Sequence, residues 1–211
     1  MSQQPTGQQR IVILDYGMGN LRSVQKAFEL LGYSATIADQ PEQLRSADKL
    51  VLPGVGAFRD AIARLREGGF VEPIRDHLQS GKPFLGICLG LQLLFDRSYE
   101  DGEYAGLGIL AGEVVRFPPG LGLKVPHMGW NELDFIQPHF PLARGLASGV
   151  AVYFVHSYYA LPRDPQIVAA TADYYNPFTA AVWHENILAV QFHPEKSQQV
   201  GLRMLENFAR L

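Results

Sequence analysis

Ile-Val-Ile-Leu at residues 11–14 is a continuous apolar run closed by Asp15, the pattern of a strand covered on both faces. Residues 20–33 then place Leu21, Val24, Ala27, Phe28 and Leu31 at helical spacing, with Asn20 as N-cap and Gly32 as the stop. Further strands are predicted at 34–38, 49–53 and 82–87, with a short helical piece at 44–47. A helical region up to Ser80, interrupted at Gly68–Gly69, joins the last two, and a helix is predicted over 89–98. Beyond it the period changes. Strand-like runs at 113–117, 153–160, 167–173, 178–185 and 187–192 are too closely spaced for crossover helices and predict antiparallel hairpins. Residues 198–211 close the chain as a helix through Val200, Met204, Leu205 and Phe208.

Alternating strands and helices in the first half predict an α/β fold, a doubly wound and mostly parallel central sheet with helices on both faces. Antiparallel strands extend it in the C-terminal half. One domain is expected over 11–211, after a polar stretch at 1–10 predicted to be disordered. The Pro/Gly break at 117–120 reads as a loop. A net charge of −3 with no basic stretch argues against nucleic acid or an anionic membrane as partner. The longest apolar runs are strand-sized, and no signal peptide is evident. A single cysteine makes no internal disulfide, so a reducing, cytoplasmic setting is expected.

That cysteine sits in Gly86-Ile87-Cys88-Leu89-Gly90, between a strand and a helix. Small residues two before and two after a nucleophile are what a strained strand–turn–helix elbow requires. The turn lifts the side chain above the carboxyl end of a strand, where open α/β sheets bind ligands. The Leu89 N–H points where an oxyanion would form, and N–H groups at the helix start favour thiolate. Among the six histidines, His193 ends an apolar strand and precedes Pro194, which holds it extended. Glu195, two residues on, falls on the same side and suits a relay that orients the imidazole. His156 and His127 compete for the role of base but lack a nearby carboxylate. The glycine-rich turn at 52–58 offers backbone N–H groups for an oxyanion hole or, equally, a phosphate. No histidine pair has zinc spacing, so no metal or other cofactor is expected.

PGVGAF (53–58), GICLGLQLLF (86–95) and FHPEKS (192–197) resemble, in that order, three blocks of the class I, triad-type glutamine amidotransferases. DYGMGN (15–20), VPHMGWN (125–131) and YFVHSYY (153–159) resemble more narrowly the glutaminase subunits serving L-histidine biosynthesis. The likeness spans nearly all the chain; Leu91 stands where methionine is common. It implies a flavodoxin-like amidotransferase fold and glutamine as substrate. It further implies Cys88 as nucleophile, His193 as acid and base, and Glu195 as its orienter. Leu89, Gly54 and Val55 would form the oxyanion hole, and Gln92, Glu100, Ser157 and Tyr158 would bind glutamine. The implied partner is a (β/α)₈-barrel cyclase in a one-to-one complex. Tyr16, Gly17, Met18, Gly19, Asn20, Trp130, Asn131 and Lys196 match the interface segments.

Overall fold

A computed structural model of the chain describes residues 9–118 and 124–211. Its elements in order are β1 (Ile11–Leu14), α1 (Leu21–Leu30), β2 (Ala35–Ala38), β3 (Lys49–Gly54), α2 (Phe58–Glu67), α3 (Val71–Gln79) and β4 (Phe84–Cys88). There follow α4 (Leu89–Gln92), β5 (Phe95–Ser98), β6 (Tyr104–Ala105), β7 (Leu110–Arg116), β8 (His127–Glu132) and β9 (Asp134–Phe135). The chain ends with β10 (Ala151–His156), β11 (Tyr158–Pro162), β12 (Val168–Tyr174), β13 (Asn176–His184), β14 (Ile187–Val190) and α5 (Gln198–Ala209).

The main sheet runs β2-β1-β3-β4-β14-β13-β12-β9. Its first five strands are mutually parallel, and the last three are added antiparallel. Alternation along β1 explains the two-sided core. Ile11 and Ile13 pack with Val24 and Phe28 of α1 and Met204, Leu205 and Phe208 of α5. Val12 and Leu14 face the opposite layer, with Phe58, Ile62 and Leu65 of α2 and Ile74 of α3. Both faces are covered, so the parallel strands read as unbroken apolar runs. At the end of α1, Gly32 adopts φ +84°, a conformation natural to glycine. Asn20 stands at the N-cap position, but its side chain makes no capping bond.

Three expectations change. The helix predicted over 89–98 is a single turn, α4, followed by strand β5. Residues 89–95 are all buried, so the run has no solvent face and its apolar spacing carries no amphipathic information. Instead, the Leu94 carbonyl accepts from Ile109 and Leu110, drawing the chain into pairing with β7. The 153–160 run is two strands that do not pair with each other. β10 pairs with β8, and β11 with β7, forming a two-stranded ribbon and part of a four-stranded sheet. Finally, of the stretch predicted as disordered, 1–8 lie outside the described residues, but Arg10 is tied down. Its N–H donates to Asp48 at 2.8 Å, and its carbonyl accepts from Asp48 and Lys49. The predicted break at 117–120 lies partly outside the described residues. Among those described, no helix is long and apolar enough to cross a membrane.

Candidate functional site

The parallel strands deliver the site to their carboxyl ends. β4 is central, hydrogen-bonded to β3 and β14, and ends at Cys88, which pairs with Gly54 at the end of β3. Cys88 has φ +56° and ψ −110°, backbone geometry that costs a non-glycine residue about 1–3 kcal/mol. The flanking glycines make the turn possible. A Cβ on Gly86 would lie 2.9 Å from the Gly90 carbonyl oxygen, and one on Gly90 would overlap the backbone carbonyl of Leu52. The helix after Cys88 has only four residues, so it offers local N–H groups rather than a developed macrodipole.

His193 follows β14 and is held by backbone bonds to the β8–β10 ribbon. Its N–H donates to the Tyr153 carbonyl at 2.9 Å. The Ser197 hydroxyl donates to the His193 carbonyl at 2.6 Å and accepts from the Tyr153 N–H at 2.9 Å. The His193 Nδ1 contacts Glu195 Oε1 at 2.8 Å, with both side chains almost wholly buried. Burial pushes this imidazole down. The charge of the neighbouring Cys88 sulfur and the hydrogen-bonded Glu195 carboxylate outweigh it, raising the group to about 10, while the His193 Nε2 itself has no hydrogen-bond partner among the described residues. The arrangement therefore favours a protonated imidazole beside the sulfur. Replacing Cys88 by alanine removes the sulfur's raising influence, so the His193 midpoint should fall. Histidine NMR titration of the purified variant measures this; an unmoved midpoint would mean that the sulfur is not the partner of the ring.

A cavity of about 190 Å³ opens over the elbow and is lined by Cys88, Leu89, Gln92, Glu100, His193, Val55 and the 155–158 segment. It thus gathers the residues expected for nucleophile, base and glutamine binding from five separate parts of the chain. Gln92 Nε2 donates to the Tyr158 carbonyl and to Gln191 Oε1, each at 3.0 Å. Gly54 lies just beneath, packed against Leu89 and the Tyr16 hydroxyl. Glu100 reaches the cavity while accepting from the Phe58 N–H at 2.6 Å, at the N-terminus of α2. Burial raises this carboxyl, an effect the Phe58 bond opposes.

Of the histidines passed over as bases, His156 lines the cavity and His127 lies behind it. His156 Nδ1 meets the Tyr158 carbonyl at 2.8 Å, which can only accept, so that nitrogen carries the proton. Its Nε2 therefore accepts from His127 Nδ1 at 3.1 Å, and His127 Nε2 accepts from Asn131 Nδ2 at 3.3 Å. Each ring holds one proton, so both are neutral. Burial acts in the same direction, pushing His127 down to about 4 and His156 to about 3.

Residues expected at a partner interface divide into two groups. Trp130 is 49% exposed, and neighbouring Met128 on the same face of β8 is 65% exposed. The Trp130 ring meets Tyr153 edge-on at 6.1 Å, and the Lys196 ammonium lies 6.0 Å from the Tyr153 ring centre. Gly17 and Asn20 are exposed, while Met18 and Gly19 are half-buried. Tyr16 departs from the expectation. It is only 5% exposed, and its hydroxyl is buried beside Gly54. Burial and the neighbouring Cys88 push its phenol up. Its side chain packs beside Gly54 rather than at the surface. Asn131 is half-buried, and its side chain donates to the Asp173 carbonyl at 2.7 Å. Sequence reasoning did not single out Tyr153, Ser197 or Gln191. For Gln191 the signal was a lone amide inside the apolar run ILAVQF.

Comparison with known proteins defines the class. The glutamine amidotransferase class-I family profile matches residues 12–211, and the chain belongs to that family. Within the class it is 64% identical over 203 residues to the imidazole glycerol phosphate synthase subunit HisH of Syntrophotalea carbinolica, covering 94% of this chain and 98% of that protein. The HisH subunit of Geobacter sulfurreducens is 53% identical, covering 96% and 99%. In fold, the chain superposes on PurLQS of Thermotoga maritima with TM-score 0.77 at 18% identity, covering 96% of this chain and 98% of that one. A further glutamine amidotransferase structure matches with TM-score 0.72 at 23% identity, covering 95% and 99%.

Proposed function

We propose that the chain is the glutaminase subunit of an imidazole glycerol phosphate synthase and that Cys88, His193 and Glu195 carry its chemistry. The observation that supports this most directly is the buried His193–Glu195 pair beside the strained Cys88, in a cavity bounded by the Gln92 side chain and the 155–158 segment. In this reading the Cys88 thiolate attacks the side-chain amide carbon of glutamine. The N–H of Leu89 and the Gly54–Val55 peptide hold the resulting oxyanion. His193 gives its proton to the leaving ammonia, and a γ-glutamyl thioester remains.

The same geometry suits the second half of the cycle. Sulfur in a thioester carries no charge, so the influence that keeps His193 protonated is gone. The imidazole then takes a proton from water, which attacks the thioester and releases glutamate and free Cys88. Glu195 keeps the ring oriented throughout. Glu100, Ser157 and Tyr158 complete the glutamine site, Glu100 through the substrate's α-amino group.

Ammonia must travel unprotonated to act as a nucleophile, which argues for delivery within a complex rather than release to water. The partner in this reading is a (β/α)₈-barrel cyclase subunit in the cytoplasm. The cyclase uses the ammonia to form imidazole glycerol phosphate and aminoimidazole carboxamide ribotide in L-histidine biosynthesis. Trp130, Lys196 and the 17–20 loop would form the docking face, with Met128 and Tyr153 extending it. The β8–β10 ribbon carries both Trp130 and the 155–156 wall of the cavity, so docking bears directly on the glutamine site.

The test is glutamate release by the purified chain, alone and with the cyclase subunit and its nucleotide ligand. Low activity alone and a rise of about 100-fold or more in the liganded complex is the expected result, because docking acts on transition-state donors worth that much. High activity indifferent to the partner would remove the synthase assignment, and no turnover in any mixture would remove the glutaminase.

A further inference from the structure

Gln191 is fully buried, 0% exposed, in the two-residue step between β14 and His193. A buried amide is costly unless both of its ends are bonded. Its Oε1 accepts from Gln92 Nε2 at 3.0 Å, and its Nε2 donates to Cys88 Sγ at 3.8 Å, within the longer reach of a sulfur acceptor.

The direction of this chain follows from its far end. The Tyr158 carbonyl can only accept, so the Gln92 atom facing it must be the nitrogen. The second N–H of that nitrogen donates to Gln191, so the Gln191 atom meeting it must be oxygen. The remaining end of Gln191 is then NH₂, turned to the sulfur. Backbone on one wall of the cavity thus determines, through two amides, that a donor rather than an acceptor meets Cys88.

We propose that Gln191 is a donor to the reacting sulfur, holding Cys88 in its rotamer and favouring the thiolate over the thiol. The inference rests on Cys88 being the nucleophile. Hydrogen bonds to an ionised acceptor are shorter and stronger than those to a neutral one, so the donor stabilises the thiolate selectively. In the acyl stage the thioester sulfur accepts weakly. When water has added and the carbon–sulfur bond breaks, the electron pair returns to sulfur, and the same N–H receives it. Gln92 connects this donor to the 158 carbonyl, so the state of the glutamine wall is transmitted to the nucleophile.

The test exploits the single cysteine of the chain: iodoacetamide alkylation reports on Cys88 alone. Gln191→Met keeps the length of the side chain and removes the donor. Its alkylation midpoint should rise by about one pH unit, with a roughly tenfold lower rate on the acid limb of the profile and the same plateau in alkali. Gln191→Glu, nearly isosteric, places a carboxylate beside the sulfur and should shift the midpoint further. A purely structural role would lower the melting temperature without moving the profile. Profiles superimposable on the unaltered chain in folded variants would overturn the proposal. If the variants do not fold, the side-chain amide protons of Gln191 in ¹⁵N-labelled unaltered chain provide the answer. They should move when Cys88 is alkylated, and unmoved resonances would equally overturn it. Glutamine turnover by the unaltered complex is read separately. Its absence alongside a shifted alkylation profile would remove the glutaminase reading and leave the Gln191–sulfur bond standing.

Discussion

Cys88→Ala is expected to lower glutamine hydrolysis by about 10⁴-fold or more, the scale of losses when a covalent nucleophile is removed. The substitution keeps the Cβ, and with it the left-handed backbone of the elbow, and deletes one buried sulfur. Gln191 then loses its acceptor at Cys88 Sγ, at a cost of about 1–3 kcal/mol. The chain should therefore remain folded, and the loss should be chemical. Glutamate release in the liganded complex and urea denaturation of the same preparation measure the two effects. A variant that retained turnover would show that the elbow serves another purpose.

The largest effect on stability should come from a single methyl group. A Cβ at Gly90 would overlap the Leu52 carbonyl oxygen, backbone in a central strand. No rotamer change relieves that clash, because β3 is pinned by β1 on one side and β4 on the other. Gly90→Ala should cost more than about 4 kcal/mol or prevent folding, the range reserved for damage of this kind. Gly81→Ala is the control. Gly81 has φ +73° but nothing within 4 Å of its added Cβ, so the change should cost only about 1 kcal/mol of backbone strain. Chemical denaturation of the pair separates steric exclusion from conformational preference. Similar losses in both would mean that the elbow tolerates a wider strand–helix spacing than its contacts indicate.

How far the sequence could be read depended on the range of the interactions. The run 11–14, the spacing of Val24, Ala27 and Phe28, and the Gly32 stop are local patterns, and each produced the expected element. The elbow was legible for the same reason: Gly86, Cys88 and Gly90 carry their steric requirement within five residues. Residues 89–98 were misread because burial of 89–95 from every side erases periodicity, and pairing with β7 then decides the local conformation. The split of 153–160 into β10 and β11 was equally hidden, since the strands pair with positions 19 to 50 residues away.

The sequence by itself determined the α/β class, the strand–turn–helix around Cys88 and the placing of Glu195 beside His193. These rest on backbone sterics and on separations of a few residues. The tertiary structure alone decided that residues near 55, 88, 100, 156 and 193 share one cavity. It also withdrew Tyr16 from the surface and turned the amide of Gln191 toward sulfur. Those outcomes depend on which strands become neighbours and on which end of a buried amide finds a carbonyl, and both are settled by contacts between residues far apart in the chain.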